Sequence, residues 1–231
     1  MKIERTQEGR RFAISDIHGC LSTFKALLQK IALTKEDDLF LLGDYIDRGK
    51  DSKGVIDHIW DLKEEGYRVH CLRGNHEQMM LNSKVYKSEE PFWLRNGGTD
   101  TVESFPNRFV SQDYFNWILT LPYYFETEGY LLVHAGFNFR NNKPLDDTDA
   151  MIWIRNWYDE VDKKWLNNRV VIHGHTPTRR PILEERLKNI AEIPIVNVDC
   201  GCYYNKEGLG YLAAFDLDNQ SYIFQKNREN T

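Results

Sequence analysis

"RFAISDIHGCLSTFKALLQKI", residues 11–31, passes from an apolar run through a polar loop into a helical pattern. Arg11 to Ser15 reads as a short buried strand, and Leu21, Phe24, Leu27, Leu28 and Ile31 recur at helical spacing. The pattern continues. "DLFLLGD" (Asp38 to Asp44) is a second strand, followed by a helix from about Ser52, its expected N-cap, with Val55, Ile56, Ile59, Trp60 and Leu62 on its apolar side. "RVHCLRG" (Arg68 to Gly74) is a third strand. Strands alternating with helices in this way predict a largely parallel, right-handed α/β layer with helices packed on it.

From about Gln78 to Phe125 the pattern becomes helical and aromatic, with Trp93, Phe105, Phe109, Phe115 and Trp117 and no clear strand. It reads as a helical insertion whose aromatic residues are mostly core. "YLLVHAG" (Tyr130 to Gly136) and "RVVIHGH" (Arg169 to His175) are strand-like again, with a helical piece around Trp153 to Trp165 between them. Asp146, Asp147 and Asp149 read as a solvated loop before that helix, Asp149 being its cap. "PIVNVDCG", "GYLAAFDL" and "SYIFQ" alternate at period two, with a hairpin turn at Asp218 to Gln220, so the chain closes in a β-rich layer. No linker divides it, and residues 1–231 are expected to form one domain.

A chain of 231 residues that is 41% hydrophobic and 13% aromatic is long and apolar enough to bury a sizeable core. A net charge of -5 without a basic run argues against nucleic acid as partner. The first residues, "MKIERTQEGRR", lack an apolar segment of the signal-peptide kind, and no run reaches the roughly 18 apolar residues of a membrane span. A cytoplasmic protein is expected. Cys20, Cys71, Cys200 and Cys202 show no CxxC spacing and read as free thiols, with Cys200 and Cys202 as buried strand-end residues and not a zinc half-site.

Each strand ends in residues able to bind metal: Asp16 and His18 after the first, Asp44 after the second, Asn75 and His76 after the third, His134 and His175 after later ones. In an open α/β sheet such residues converge beyond the carboxyl ends of the strands, however far apart they are in sequence. Carboxylate, imidazole and amide ligands without cysteine suit two divalent ions, manganese first and iron or zinc as alternatives. Asp16, His18 and Asp44 are able to hold one ion and Asp44, Asn75, His134 and His175 the other, with Asp44 as the bridge.

"SDIHG" (15–19), "GDYIDRG" (43–49), "RGNHE" (73–77), "HAG" (134–136) and "GHTP" (174–177) stand in this order. Together they resemble the metallophosphoesterases of the phosphoprotein phosphatase family, in particular its compact bacterial and phage branch, over Asp16 to about Gly201. The resemblance implies the calcineurin-like metallophosphoesterase fold, an α/β (α+β) architecture with a central β-sandwich flanked by helices. It also implies a dinuclear metal centre and hydrolysis of phosphate monoesters, most often phosphoserine and phosphothreonine, by hydroxide that the metals supply. By the same comparison His76 is the general acid and Asp47 the carboxylate that orients it. Arg48, Arg155 in "IWIR", and Asn75 are the phosphate contacts. A symmetrical dinucleoside-polyphosphate hydrolase shares the early motifs and is the alternative; an inactive metal-binding scaffold is a distant third.

Ser15 stands where the family has glycine, and Pro177 stands where some related phosphoesterases place a further histidine. The chain also lacks the long C-terminal extension of the eukaryotic enzymes, so no regulatory subunit of that kind is expected. Taken singly, Asp44 and Asp47 would be turn acids, but the surrounding motif favours the metal reading. His58, His70 and His173 are ordinary helix and strand residues. Arg73 is read equally as a phosphate contact or a structural ion-pair partner, and Glu77 as a support for the histidine shell.

Overall fold

The computed structural model describes residues 1–6 and 8–229. Strands β1 (Arg11–Ile14), β2 (Asp38–Leu41) and β3 (Arg68–Cys71) are joined by helices α1 (Leu21–Lys30) and α2 (Ser52–Glu64). The strands pair in parallel, with Ala13 opposite Phe40 and Phe40 opposite His70. A helical stretch follows, made of α3 (Asn75–Val85), α4 (Glu90–Trp93), α5 (Thr99–Ser104) and α6 (Gln112–Thr120). Strands β4 (Tyr124–Thr127) and β5 (Tyr130–Val133) lead through α7 (Thr148–Trp153) and α8 (Lys163–Leu166) to β6 (Val170–His173). Helix α9 (Arg180–Leu187), β7 (Ile195–Asn197) and the hairpin β8 (Tyr211–Asp216) and β9 (Ser221–Lys226) complete the order.

Two sheets form, one ordered β3-β2-β1-β8-β9 and the other β4-β5-β6-β7. Ala13, Phe40, Leu132, Ile172, Val196 and Phe215 come from both sheets and make one buried cluster between them. Their neighbours in sequence point the other way. Phe12, Ile14, Leu39 and Leu41 pack on Leu27 of α1 and on Val55 and Ile59 of α2, while Leu131, Val133 and Val171 pack on Met151, Trp157 and Leu166. Strands covered on both faces need apolar residues at every position, which is why they read as continuous runs. The expected central sandwich flanked by helices is therefore present.

Several local readings change. Asp51, not Ser52, caps α2: its carboxylate accepts the Gly54 N–H at 2.8 Å, while the Ser52 hydroxyl is drawn inward to the Asp47 N–H. Asp147, not Asp149, caps α7 by accepting the Ala150 N–H. The helical piece expected around Trp153 to Trp165 is interrupted: α7 ends at Trp153, Ile154 turns extended, Asn156 takes φ 57° and a new cap at Asp162 starts the short α8. Tyr124 and Phe125 already belong to a strand, stabilised by pairing with β5 and by the Ile3 N–H donating to the Glu126 carbonyl. Helix α9 escaped the sequence reading because only Leu183 of its residues is buried, leaving almost no apolar stripe. Among the described residues no helix is long and apolar enough to cross a membrane.

Phe40 lies fully buried between the sheets, stacked on His70 with centroids 4.9 Å apart. Phe40→Ala is expected to cost about 3–5 kcal/mol, read as a lowered urea midpoint with an unchanged slope.

Candidate metal centre and phosphate site

The loops after β1, β2, β3, β5 and β6 all open on one edge of the two sheets. Their backbones are unusual: Asp16, His18, Asp44, Asp47, Arg48 and His175 all have φ between 48° and 71°. The left-handed region costs an L-residue roughly 1–2 kcal/mol, so something must hold these turns. At Asp44 it is Glu77. Its buried carboxylate accepts the N–H groups of Asp44 (2.9 Å), Tyr45 (2.8 Å) and Gly74 (2.9 Å), tying the β2 and β3 loops together. Gly74 lets those loops touch, since a Cβ there would stand 2.2 Å from Asp44 Oδ1. Burial pushes the Glu77 carboxyl up to about 7, against the pull of its three donors.

Asn75, His134, His175 and Asp44 converge. His134 Nδ1 lies 2.8 Å from the Leu42 carbonyl, which fixes the proton there and leaves Nε2 as a lone pair. That lone pair faces Asn75 Oδ1 at 3.0 Å, His175 Nδ1 at 3.2 Å and Asp44 Oδ1 at 3.5 Å. His175 Nδ1 lies 2.9 Å from the same Asn75 oxygen, and its buried Nε2 has no hydrogen-bond partner. Acceptors packed this closely repel one another and suit a cation held among them.

A second group shares Asp44. His18 Nδ1 is held by the Ile46 carbonyl at 2.8 Å, directing Nε2 toward Asp44 Oδ2 (3.6 Å) and Asp16 Oδ1 (3.9 Å). His76 Nε2 faces the same space, 3.8 Å from Asp44 Oδ2. Donor atoms of His18, Asp44 and His76, and of Asp44, His134 and His175, each lie within 4.8 Å of one another. Burial holds His18, His134 and His175 below the ordinary imidazole range, so they stay neutral ligands. Burial, then the charges of Asp16 and Glu77, push the Asp44 carboxyl well up, a penalty that a bound cation would reverse.

The sequence pattern of the calcineurin-like phosphoesterase family matches residues 10–217. This chain belongs to that family. The serine/threonine-protein phosphatase 1 of Salmonella typhimurium is 28% identical over 197 residues, covering 78% of this chain and 84% of that protein. The symmetrical bis(5'-nucleosyl)-tetraphosphatase of Haemophilus ducreyi is 27% identical over 210 residues, covering 80% and 73%. Among solved structures, a provisionally assigned diadenosine tetraphosphatase superposes with a TM-score of 0.67 at 19% identity and 96% coverage of each chain. A serine/threonine phosphatase of Saccharomyces cerevisiae follows at 0.61 and 17%, covering 97% and 82%. These likenesses bear out the resemblance to phosphoprotein phosphatases, and at such identities the superpositions speak for the fold alone. The phosphoesterase family uses a dinuclear metal centre, and the donor set here fits two ions sharing Asp44.

The phosphoesterase places its other candidates around that centre. His76 Nδ1 lies 2.6 Å from Asp47 Oδ2. Burial pushes the Asp47 carboxyl up to about 7 and pushes the His76 imidazole well below its usual range. Arg48 Nη1 donates to His18 Nε2 at 2.8 Å, bringing the guanidinium to the edge of the centre. Arg155 is exposed and its Nη1 donates to Thr176 Oγ1 at 3.3 Å, next to His175. Arg73 does not reach the site: it is taken up by Gln78, Tyr123 and the carbonyls of Ile118 and Leu119. His173 lies beneath, bonded to the Tyr158 hydroxyl. All four cysteines are buried and free.

Four residues escaped the sequence reading. Ser15, noted only as a departure from glycine, donates its hydroxyl to Asp16 Oδ2. Asp199, inside "NVDCG", is buried with one carboxylate oxygen unpartnered and its carboxyl pushed well up by burial and by Asp16. Trp93, read as insertion core, and Thr101, not singled out in the sequence, both donate to Asp47. Glu77→Gln should leave at least one buried N–H facing an amide NH₂. A loss of about 1–3 kcal/mol per unsatisfied group is expected in urea denaturation, together with weaker manganese binding by calorimetry.

Proposed function

We propose that this phosphoesterase removes phosphate from phosphoserine and phosphothreonine in proteins, as a manganese-dependent cytoplasmic enzyme. The observation that carries the reading is the 2.6 Å contact between His76 Nδ1 and the buried Asp47 carboxylate, with His76 Nε2 turned to the centre. A serine or threonine alkoxide leaves poorly and needs a proton, whereas a nucleoside diphosphate leaves as a weak base and needs it less.

Asp16, His18 and Asp44 would hold one ion, and Asp44, Asn75, His134 and His175 the other. Two cations bound there would lower the pKa of water toward neutrality and offset charge on the phosphoryl oxygens. Arg48 and Arg155 clamp those oxygens in the fork geometry of guanidinium, with Asn75 as a further contact. The water oxygen adds to phosphorus as the P–O bond to the substrate alcohol breaks. His76 Nε2 gives its proton to the departing oxygen, and the products are the free alcohol and inorganic phosphate. Asp47 holds the ring by Nδ1 throughout.

A second reading is a symmetrical dinucleoside-polyphosphate hydrolase, supported by the Haemophilus relative. Kinetics of the manganese-loaded enzyme on phosphoserine peptides and on diadenosine tetraphosphate decide between them. A higher kcat/KM on the nucleotide would overturn the first reading. His76→Asn is expected to keep metal binding while turnover of an alkyl phosphate falls by about 10²–10⁴-fold; unchanged turnover would remove His76 from the mechanism.

A further inference from the structure

The helical stretch between β3 and β4 is mostly packing. Phe105 meets Tyr114 edge to face at 4.6 Å, and Trp60 and Tyr45 pack against its aromatic rings. Two of its polar atoms do something else. The Trp93 indole Nε1 lies 3.1 Å from both oxygens of Asp47, and the Thr101 hydroxyl lies 2.6 Å from Oδ1. All three side chains are buried. We propose that Trp93 and Thr101 are positioning residues for the general acid, through which the helical insertion sets the orientation of the Asp47 carboxylate and so of the His76 ring.

The proton directions follow from the contacts. An ionised carboxylate only accepts, so Thr101 donates to Oδ1 and has no proton left for Ser52. Ser52 therefore donates across its 3.0 Å contact to Thr101 Oγ1. Both hydroxyl oxygens in turn accept the Asp47 N–H, at 3.0 Å from Ser52 and 2.8 Å from Thr101. Asp47 thus has its N–H and both oxygens occupied, and its Oδ2 is aimed at His76 Nδ1. A carboxylate restrained on every side holds the imidazole it faces in one orientation, which is what orienting a catalytic ring requires.

The backbone of the insertion is shaped for this contact. Asp47 and Arg48 take φ 71° and 70°, a costly pair of turns, and Arg48 is held by donating its N–H to the Gly97 carbonyl at 3.2 Å. Gly97 itself has φ 110°, and a Cβ there would stand 2.7 Å from the Arg48 nitrogen. At Gly98 a Cβ would stand 2.6 Å from the Trp93 indole ring. The two glycines form a wide, π-type turn between α4 and α5 that presses the chain on the "GDYIDRG" loop and delivers Trp93 from one side and Thr101 from the other.

The inference rests on His76 as the acid, and its test separates the two. The metal-loaded enzyme is assayed on phenyl phosphate, a poor leaving group, and on p-nitrophenyl phosphate, a good one. Trp93→Phe keeps the ring and loses the N–H; Thr101→Val keeps the shape and loses the hydroxyl; Thr101→Ser restores it. Each of the first two is expected to lower kcat on phenyl phosphate by about 10–100-fold, the usual effect of removing an orienting group, with a clearly smaller loss on p-nitrophenyl phosphate and recovery in Thr101→Ser. In the metal-free protein, the downfield proton resonance of His76 Nδ1–H, assigned by its loss in His76→Asn, should move or broaden in both variants and return in Thr101→Ser. Equal losses on the two substrates, or an unmoved resonance, would overturn the inference while a leaving-group-selective His76→Asn keeps the acid. A non-selective His76→Asn overturns both. Should Thr101→Val fail to fold, Trp93→Phe carries the same comparison.

Discussion

Three backbone N–H groups from two loops end on one buried carboxylate, that of Glu77. One of the three donors, Asp44, is in a left-handed conformation that the chain would not hold unaided, and it is shared by both candidate metal-binding groups. Glu77 sits in the first turn of α3, beside Asn75 and His76. The same turn of helix therefore supplies a candidate metal ligand, the proposed acid and the brace for the loop they face. Removing the brace would loosen all three at once, because acceptors packed at about 3 Å tolerate little misplacement before a cation loses its coordination.

Around that brace the sheets do the coarse positioning. Parallel strands end on one edge, and five loops from two sheets meet there although their residues span Asp16 to His175. Burial then decides protonation. Imidazoles are held neutral and the charged form of Asp44 is made costly, a cost that a bound cation would offset. The helical insertion adds a finer level, reaching Asp47 with an indole and a hydroxyl that neither sheet provides.

Much of this was legible in the linear pattern. Strands buried on both faces gave apolar runs at 12–14 and 39–42, the third strand alternated buried and half-buried residues over 68–71, and each ended in a polar cluster flanked by glycine. Where the reading failed, a local rule met a nonlocal partner. Ser52 looked like a cap, but Thr101, 49 residues away, drew its hydroxyl inward and left the task to Asp51. Arg73 sat beside a ligand and was claimed by carbonyls of α6. Trp93 read as core because an aromatic at helical spacing gives no sign of where its N–H points.

The chain's order of motifs determined the family, the strand-end placement of the donors and the identity of the atoms able to bind metal or carry a proton, since residue type and spacing fix both chemistry and period. Tertiary structure alone decided which lone pairs face each other, that Glu77 braces two loops, and that Trp93 and Thr101 close on Asp47. Those facts are distances between residues far apart in sequence. No local propensity encodes them; they arise when two sheets and an insertion are packed densely enough that a buried polar atom must find its partner across the fold.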